Sequence, residues 1–486
     1  MFLVCLSIRL CLISHSQRLR FIEGLFKLSL RLNFMDEKIK SLKRWIQGSA
    51  ADLFQEPCIS DGIDVHDRED LGRHLIASKS IENRKVIIRI PRKCMLNYIT
   101  ILQHLAYWNP EVCFYLKGKG ISPVSARSEE VIPSEKGDNE DTFRNMYKGL
   151  KLSKILNLTS TQLISWYLIM IIRRKEGSFW KHFVKVLPSL GELQTLPIVW
   201  SLDQLGSEYI KLLPDGLFQR VEKQSKSFLK DYNKVCEFTD SLDECMKVDS
   251  ESFLWGWLVC NTRCIYLDLP DFLNQDSKEK FTLVPYVDFL NHTLEEHCTI
   301  SVNRKFFSVS TAKSKYRPNE QLYFSYGPHT DDRLLCDYGF MLPLGENAWN
   351  DLDITDFILK LLKPPQIEFL KSINYFGDYT ITKDGMSFRT EVALATSQEN
   401  ESSFKSDGSI NSVSCPRRLK SFIDGYSDGR SYCVKSNKIL DNIKKEINVT
   451  CQCRIKEVES LPGYQKNDTR LTIVKRCYLN IQLICN

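Results

Sequence analysis

The residue types most able to do chemistry are concentrated between Thr282 and Met341. Asp288-Phe-Leu-Asn291-His292 comes first, Tyr326-Gly327 follows, and Tyr338-Gly339-Phe340 closes the stretch. Two upstream groups join them in order, Gly72-Arg73 and Asn261 with Arg263. Asp288 and His292 are types found in proton relays, yet no Ser, Cys or Thr nearby has the setting of an activated nucleophile. P-loop and HExxH patterns are absent from the sequence. A glycine before an arginine lets the main chain approach a ligand, or simply makes a turn. Arg263, near the end of an expected helix, suits an ion pair, the helix dipole or a ligand. Polar and aromatic side chains at the ends of short strands are a common lining for a small-molecule site.

Metal chemistry is the next possibility, because the chain holds 17 cysteines. Cys260 and Cys264 lie one helical turn apart, and Cys451 and Cys453 form a C-x-C, but no histidine accompanies either pair. A structural zinc site takes four ligands, commonly two close pairs. Free buried thiols are therefore expected, and no metal. An odd cysteine count without a regular framework fits reduced thiols in a cytosolic or nuclear compartment. Lys and Arg total 66 against 60 Asp and Glu, a net charge of +6. That surplus is too small for a nucleic-acid footprint.

Elements must hold these residues in place. Thr299–Val302, Phe306–Val309 and Gln321–Phe324 alternate as strands do, and Val86–Ile90 reads as a buried strand stopped by Pro91. Leu75–Ala77 is expected as a strand, with a mostly polar turn over Ser80–Lys85. Ser160–Arg174 is apolar nearly all round, the mark of a buried helix, with Thr159 or Ser160 as its cap. Asp249 or Ser250 caps a further helix expected from Phe253 to about Tyr266, which carries Asn261 and Arg263. Helices are also expected over Asp36–Gln47, through much of 202–242, and over Thr355–Leu362, Pro365–Ile373 and Ile439–Ile447. The segments 117–147 and 397–414 read as loops.

The first 34 residues have an apolar run interrupted by Arg9 and no acidic residue before Glu23. A signal peptide, a mitochondrial presequence and an upstream extension before a working start at Met35 all remain open. No later stretch has 18 uninterrupted apolar residues, so no transmembrane helix is expected.

The ordered series Gly72-Arg73, Asn261 and Arg263, Asp288 with Asn291-His292, Tyr326-Gly327 and Tyr338-Gly339-Phe340 resembles SET-domain methyltransferases of the Rubisco large-subunit methyltransferase type. LWGWLVCNTRCIY, VPYVDFLNHT and YGPHTDDRLLCDYGF carry the likeness, and FWKHFVKVLP with LPIVW resembles the family's helical insertion. The resemblance implies an α+β fold of short sheets with a pseudoknot, a helical insertion at about 100–250 and a mainly helical C-terminal domain. Implied boundaries are an N-terminal extension and helix over 1–57, a SET domain over 58–345, and a substrate-binding-like domain over 350–486.

It further implies S-adenosylmethionine as methyl donor and a protein lysine, on a histone or non-histone protein, as acceptor. Histidine methylation on the same fold and a non-catalytic binding module are the alternatives. By similarity Asp288, Asn291 and His292 belong to the donor-binding segment, Gly72 and Arg73 approach its other side, and Arg263 meets its carboxylate end. Tyr338, Gly339 and Phe340 complete the pocket, and Tyr326 is the catalytic tyrosine, close enough to the methyl group to contact the donor too. The usual Gly-Arg-Gly becomes Gly72-Arg73-His74 here. Neither nucleic acid nor membrane is an expected partner, and the sequence does not specify the oligomeric state.

Overall fold

A computed structural model describes residues 35–53, 55–68, 72–122, 146–174, 178–274, 280–406, 413–427 and 429–486. The expectations for residues 1–34 lie outside this set, as does most of the 117–147 segment. The chain forms two compact units. One comprises residues up to Leu190 together with Ser227–Gly327, the other Gly191–Lys226 with Pro328–Asn486.

The first unit holds nine strands that concern the site. They are β1 (Ile63–Arg68), β2 (Gly72–Ala77), β3 (Val86–Pro91), β4 (Cys264–Tyr266), β5 (Phe281–Leu283), β6 (Asn291–His292), β7 (Thr299–Val302), β8 (Phe306–Ser310) and β9 (Gln321–Phe324). Its four-stranded sheet runs β1-β2-β9-β6. β9 serves two partners. Its first half pairs antiparallel with β2 through Gln321↔Ile76 and Leu322↔Leu75, and its second half pairs parallel with β6 through Tyr323↔Asn291 and Phe324↔His292. The sheet β3-β8-β7 is antiparallel, and its β-branched and aromatic residues Ile88, Ile90, Phe307 and Val309 are fully buried.

Two helices pack against each other in this unit, α1 (Ser160–Arg174) and α2 (Ser250–Arg263). Thr159 caps α1 reciprocally. Its hydroxyl accepts from the Gln162 amide at 3.2 Å, and its own amide donates to Gln162 Oε1 at 2.9 Å. α1 is buried from Ser160 to Ile171, as its sequence requires, while Ile172 is exposed. Asp249 caps α2, accepting from the Ser252 amide. At the crossing, a Cβ on Gly256 would stand 2.7 Å from the Ser165 carbonyl oxygen, so only glycine permits this approach. The buried polar groups are paired across the interface, with Asp231 accepting from both Gln162 Nε2 and Trp257 Nε1.

The helix expected to reach Tyr266 ends at Arg263. Cys264–Tyr266 instead pair antiparallel with Phe281–Leu283 as β4 and β5. Over three residues, periodicity cannot separate helix from strand, and a ladder partner far along the chain decides.

His104, on the helix Tyr98–Leu105, is buried with Nδ1 2.9 Å from the Tyr167 hydroxyl and its ring edge-on to Trp108 and Trp180. Burial, assisted by the Arg174 charge, pushes its pKa down from 6.5 to about 3. The folded state thus holds a neutral imidazole, and stability present above pH 6.5 is lost as pH falls towards 3. At pH 5 that loss is about 2 kcal/mol. His104→Gln, which cannot titrate, is expected to show a correspondingly smaller drop in unfolding free energy between pH 7.5 and 5.

The second unit is mainly helical. Its helices include α3 (Asp331–Tyr338), α4 (Arg430–Ser460) and α5 (Thr469–Cys485). One core gathers Trp200, Leu217, Leu335, Leu471 and Val474, and another Ile358, Leu370, Leu394 and Leu440. Asp331 is buried at the start of α3 and accepts hydrogen bonds from the side chains of Asn347, Asn350 and Asn480 and from the Leu342 amide. Such a carboxylate is fully compensated and ties α3 to the chain that follows it. Within the expected 397–414 loop, Lys405–Ser406 and Val413–Ser414 form a short antiparallel pair. Asymmetric cues of this kind, main-chain pairing without alternation, leave no trace in side-chain periodicity.

Candidate active site

Seven of the ten candidate residues lie in the first unit, on four short pieces of chain. Gly72 and Arg73 open β2, Arg263 ends α2, Asp288 sits in a single turn of 3-10 helix (Val287–Phe289), and Asn291-His292 form β6. Tyr326 follows β9 by two residues, so the parallel pairing of β9 with β6 sets it beside Asn291-His292.

Tyr326 is held at two points. Its amide donates to His292 Nδ1 at 3.0 Å, which makes that nitrogen an acceptor, and its hydroxyl donates to the Leu290 carbonyl at 2.8 Å. The two rings stack with centroids 5.2 Å apart. With its proton committed to a carbonyl, the phenol oxygen keeps lone pairs for an incoming N–H or a polarised C–H. The Leu290 carbonyl had no signal in the sequence, because any residue provides one.

Gly72 has φ +61, and no atom of the described residues lies within 4 Å of where a Cβ would stand. The glycine therefore answers a backbone requirement and leaves open space in front of it. His74, which replaces the second glycine, is buried, and its Nδ1–H donates to the Gly72 carbonyl at 2.9 Å. The substitution thus fixes the local backbone within β2. Arg73 donates from Nη1 to the Val186 carbonyl, so its guanidinium engages the helical insertion.

Arg263 Nη1 lies 3.6 Å from Asp288 Oδ2 and 3.4 Å from the Asp288 carbonyl oxygen. The Asp288 side chain is only 4% exposed. Burial raises its carboxyl pKa above the ordinary value, against the opposing pull of Arg263 and Arg73. Among the described residues, Asp288 Oδ1 and Arg263 Nε have no hydrogen-bond partner. Asn261 does not join them, since its Nδ2 donates back along α2 to the Trp257 carbonyl.

Tyr338, Gly339 and Phe340 lie in the second unit, at the end of α3. The Tyr338 ring stacks on His329 and approaches Phe340 at 6.3 Å. Gly339 caps α3 with φ 82, and a Cβ there would meet Thr195 Oγ1 at 2.8 Å, which is a packing reason for glycine.

The thiols are free among the described residues. Cys260 and Cys264 stand 3.5 Å apart at Sγ, Cys451 is buried and Cys453 exposed. Among the described residues there is no group of three potential ligands for a metal ion, and no helix is long and apolar enough to cross a membrane.

The arrangement fits a donor with a carboxylate end and a reactive methyl group. Arg263 has an unpaired guanidinium nitrogen among the described residues, open space lies in front of Gly72, and Tyr326 presents an anchored hydroxyl. Comparison with known proteins agrees. Ribosomal lysine N-methyltransferase 2 of Saccharomyces cerevisiae is 28% identical over 453 residues, covering 84% of this chain and 89% of the yeast protein. Human SET domain-containing protein 4 is 27% identical over 303 residues, covering 58% of this chain and 66% of the human one. The solved structure of Rubisco LSMT bound to AdoMet superposes with a TM-score of 0.53 at 15% identity, covering 92% of this chain and 89% of that one, and shares the fold. Residues 350–486 match the ribosomal lysine N-methyltransferase 2 C-terminal domain. The SET domain itself matches residues 72–327, more than half of the sequence and every candidate residue of the first unit, and the chain belongs to the SET-domain family.

Proposed function

We propose that this protein is an S-adenosylmethionine-dependent protein-lysine N-methyltransferase. The observation that carries the reading is Tyr326, anchored on Leu290 and His292 beside Asn291, with Arg263 and Gly72 on the same unit. The donor supplies a methyl group on a sulfonium, ready for in-line displacement. Arg263 would hold its carboxylate, and Asn291-His292 with Gly72 and Arg73 would line the two sides.

Alignment of the amine with the methyl group is the main task of the protein, and positioning contributes several kcal/mol. The lysine must also be neutral. With an unperturbed pKa of about 10.4 it is so only about once in 2,500 at pH 7, a cost of roughly 4.6 kcal/mol. An aromatic channel disfavours the ammonium by desolvation and lowers that cost. The Tyr326 hydroxyl orients the amine and accepts from it. It is not a base, since phenol titrates near 10.

The substrate is a protein lysine, and the yeast relative's name, together with the match of residues 350–486, favours a ribosomal protein. Residues 350–486 would present that substrate, and the free thiols fit a cytoplasmic or nuclear site of action. Incubation with methyl-labelled S-adenosylmethionine and either ribosomal proteins or histones tests this. Wild type is expected to label a ribosomal protein on lysine, as mass spectrometry of the labelled peptide reveals. Label on histidine, or none with any protein extract, would refute lysine methylation.

A further inference from the structure

The Asp288 carboxylate is harder to account for than any other group in the site. It is nearly inaccessible, the Arg263 guanidinium stands 3.6 Å away, and Oδ1 has no hydrogen bond among the described residues. A loose buried ion pair is poor support for a fold, since a well-packed apolar pair serves at least as well. The turn that carries it is costly too. Tyr286, two residues earlier, has φ 72, a left-handed backbone that aromatic residues rarely adopt. Its side chain is fully buried, and its hydroxyl lacks a hydrogen-bond partner among the described residues. Strain and an unsatisfied hydroxyl in one residue indicate that the surrounding structure forces this turn for a purpose other than local stability.

What the turn achieves is specific. It directs both the main-chain carbonyl and the carboxylate of Asp288 at one nitrogen, Nη1 of Arg263. Arg73 acts on the same carboxylate from β2 and is itself fastened to the Val186 carbonyl. One buried carboxyl group thus pairs with the Arg263 guanidinium and also feels the Arg73 charge from a separate element. It engages one edge of Arg263 and leaves Nε unfilled.

We propose that Asp288 is a positioning residue, which orients Arg263 for the donor's carboxylate without touching the donor itself. The inference rests on the methyltransferase reading. Asp288 fixes the rotamer of Arg263 through Nη1, so that its remaining donors face the ligand already ordered, and binding loses less side-chain freedom.

A double-mutant cycle in the full-length protein tests it, with S-adenosylhomocysteine affinity measured by calorimetry. Asp288→Asn is expected to weaken binding by about 10-fold to 100-fold. In the Arg263→Gln background the same change should weaken it by less than about 2-fold, because the residue it acts through is gone. Asp288→Glu, which keeps the charge, should restore most of the affinity, and it decides the matter if the asparagine variant does not fold. In turnover, KM for S-adenosylmethionine should rise while kcat at saturating donor holds. Additive losses in the double variant, or wild-type affinity in Asp288→Asn, would overturn the proposal while leaving the methyltransferase reading intact. Failure of the wild type to bind S-adenosylhomocysteine would instead remove that reading and this one with it.

Discussion

Tyr326→Phe is expected to lower the rate of lysine methylation at saturating donor by about 100-fold to 1,000-fold, the range for losing one preorganised polar group at a reacting centre. S-adenosylhomocysteine affinity should change little, because the ring that stacks on His292 and the amide that donates to it both remain. The split follows from the geometry. The hydroxyl is fixed by Leu290 before substrate arrives, so its lone pairs require no reorganisation when the amine and methyl group meet. The variant also leaves the Leu290 carbonyl without its donor, at a cost of about 1–3 kcal/mol if water cannot replace it. Melting curves recorded beside the initial rates separate that stability loss from the catalytic one. Unaltered turnover in Tyr326→Phe would mean that the hydroxyl has no part in the reaction.

The second large effect concerns Gly256. Helix propensity alone predicts that Gly256→Ala stabilises α2 by about 1 kcal/mol. Packing predicts the reverse. The new methyl would stand 2.7 Å from the Ser165 carbonyl oxygen and 3.3 Å from the Ser165 Cα, both main-chain atoms of a helix buried along almost its whole length. Neither can turn aside as a flexible side chain would, so the helices must separate. Gly256→Ala is expected to destabilise by about 1–3 kcal/mol, and Gly256→Val by more, as overpacking does. Arg263 is seven residues further along α2, so the same displacement should weaken S-adenosylhomocysteine binding. Chemical denaturation followed by tryptophan fluorescence gives the sign. A stabilised alanine variant would show that the crossing is looser than these distances.

How much of the fold was legible depended on where each element draws its stability. Ser160–Arg174 has the bounds its apolar run indicates, and Thr299–Val302 and Gln321–Phe324 have those of their alternation. In these, the side chains themselves carry the signal, as an unbroken apolar run or as alternation. Cys264–Tyr266 reads from sequence as the tail of a helix, because the partner that makes it a strand is Phe281–Leu283. Ile439–Ile447 is only the middle of α4, which runs from Arg430 to Ser460 through polar stretches of no clear period.

The candidate site divides in the same way. The sequence by itself determined which side chains are available and in what order, because the types and spacing of Gly72-Arg73, Arg263, Asn291-His292 and Tyr326 are local features. Only the tertiary structure decided what each is attached to. The parallel register of β9 on β6 sets Tyr326 against His292, the carbonyls of Leu290 and Val186 anchor Tyr326 and Arg73, and a left-handed Tyr286 precedes the Asp288–Arg263 pair. Tyr338, Gly339 and Phe340, adjacent in sequence to the rest, belong to the second compact unit. Main-chain groups are common to every residue, and contacts between distant segments depend on folding, so neither can be read from side-chain identity.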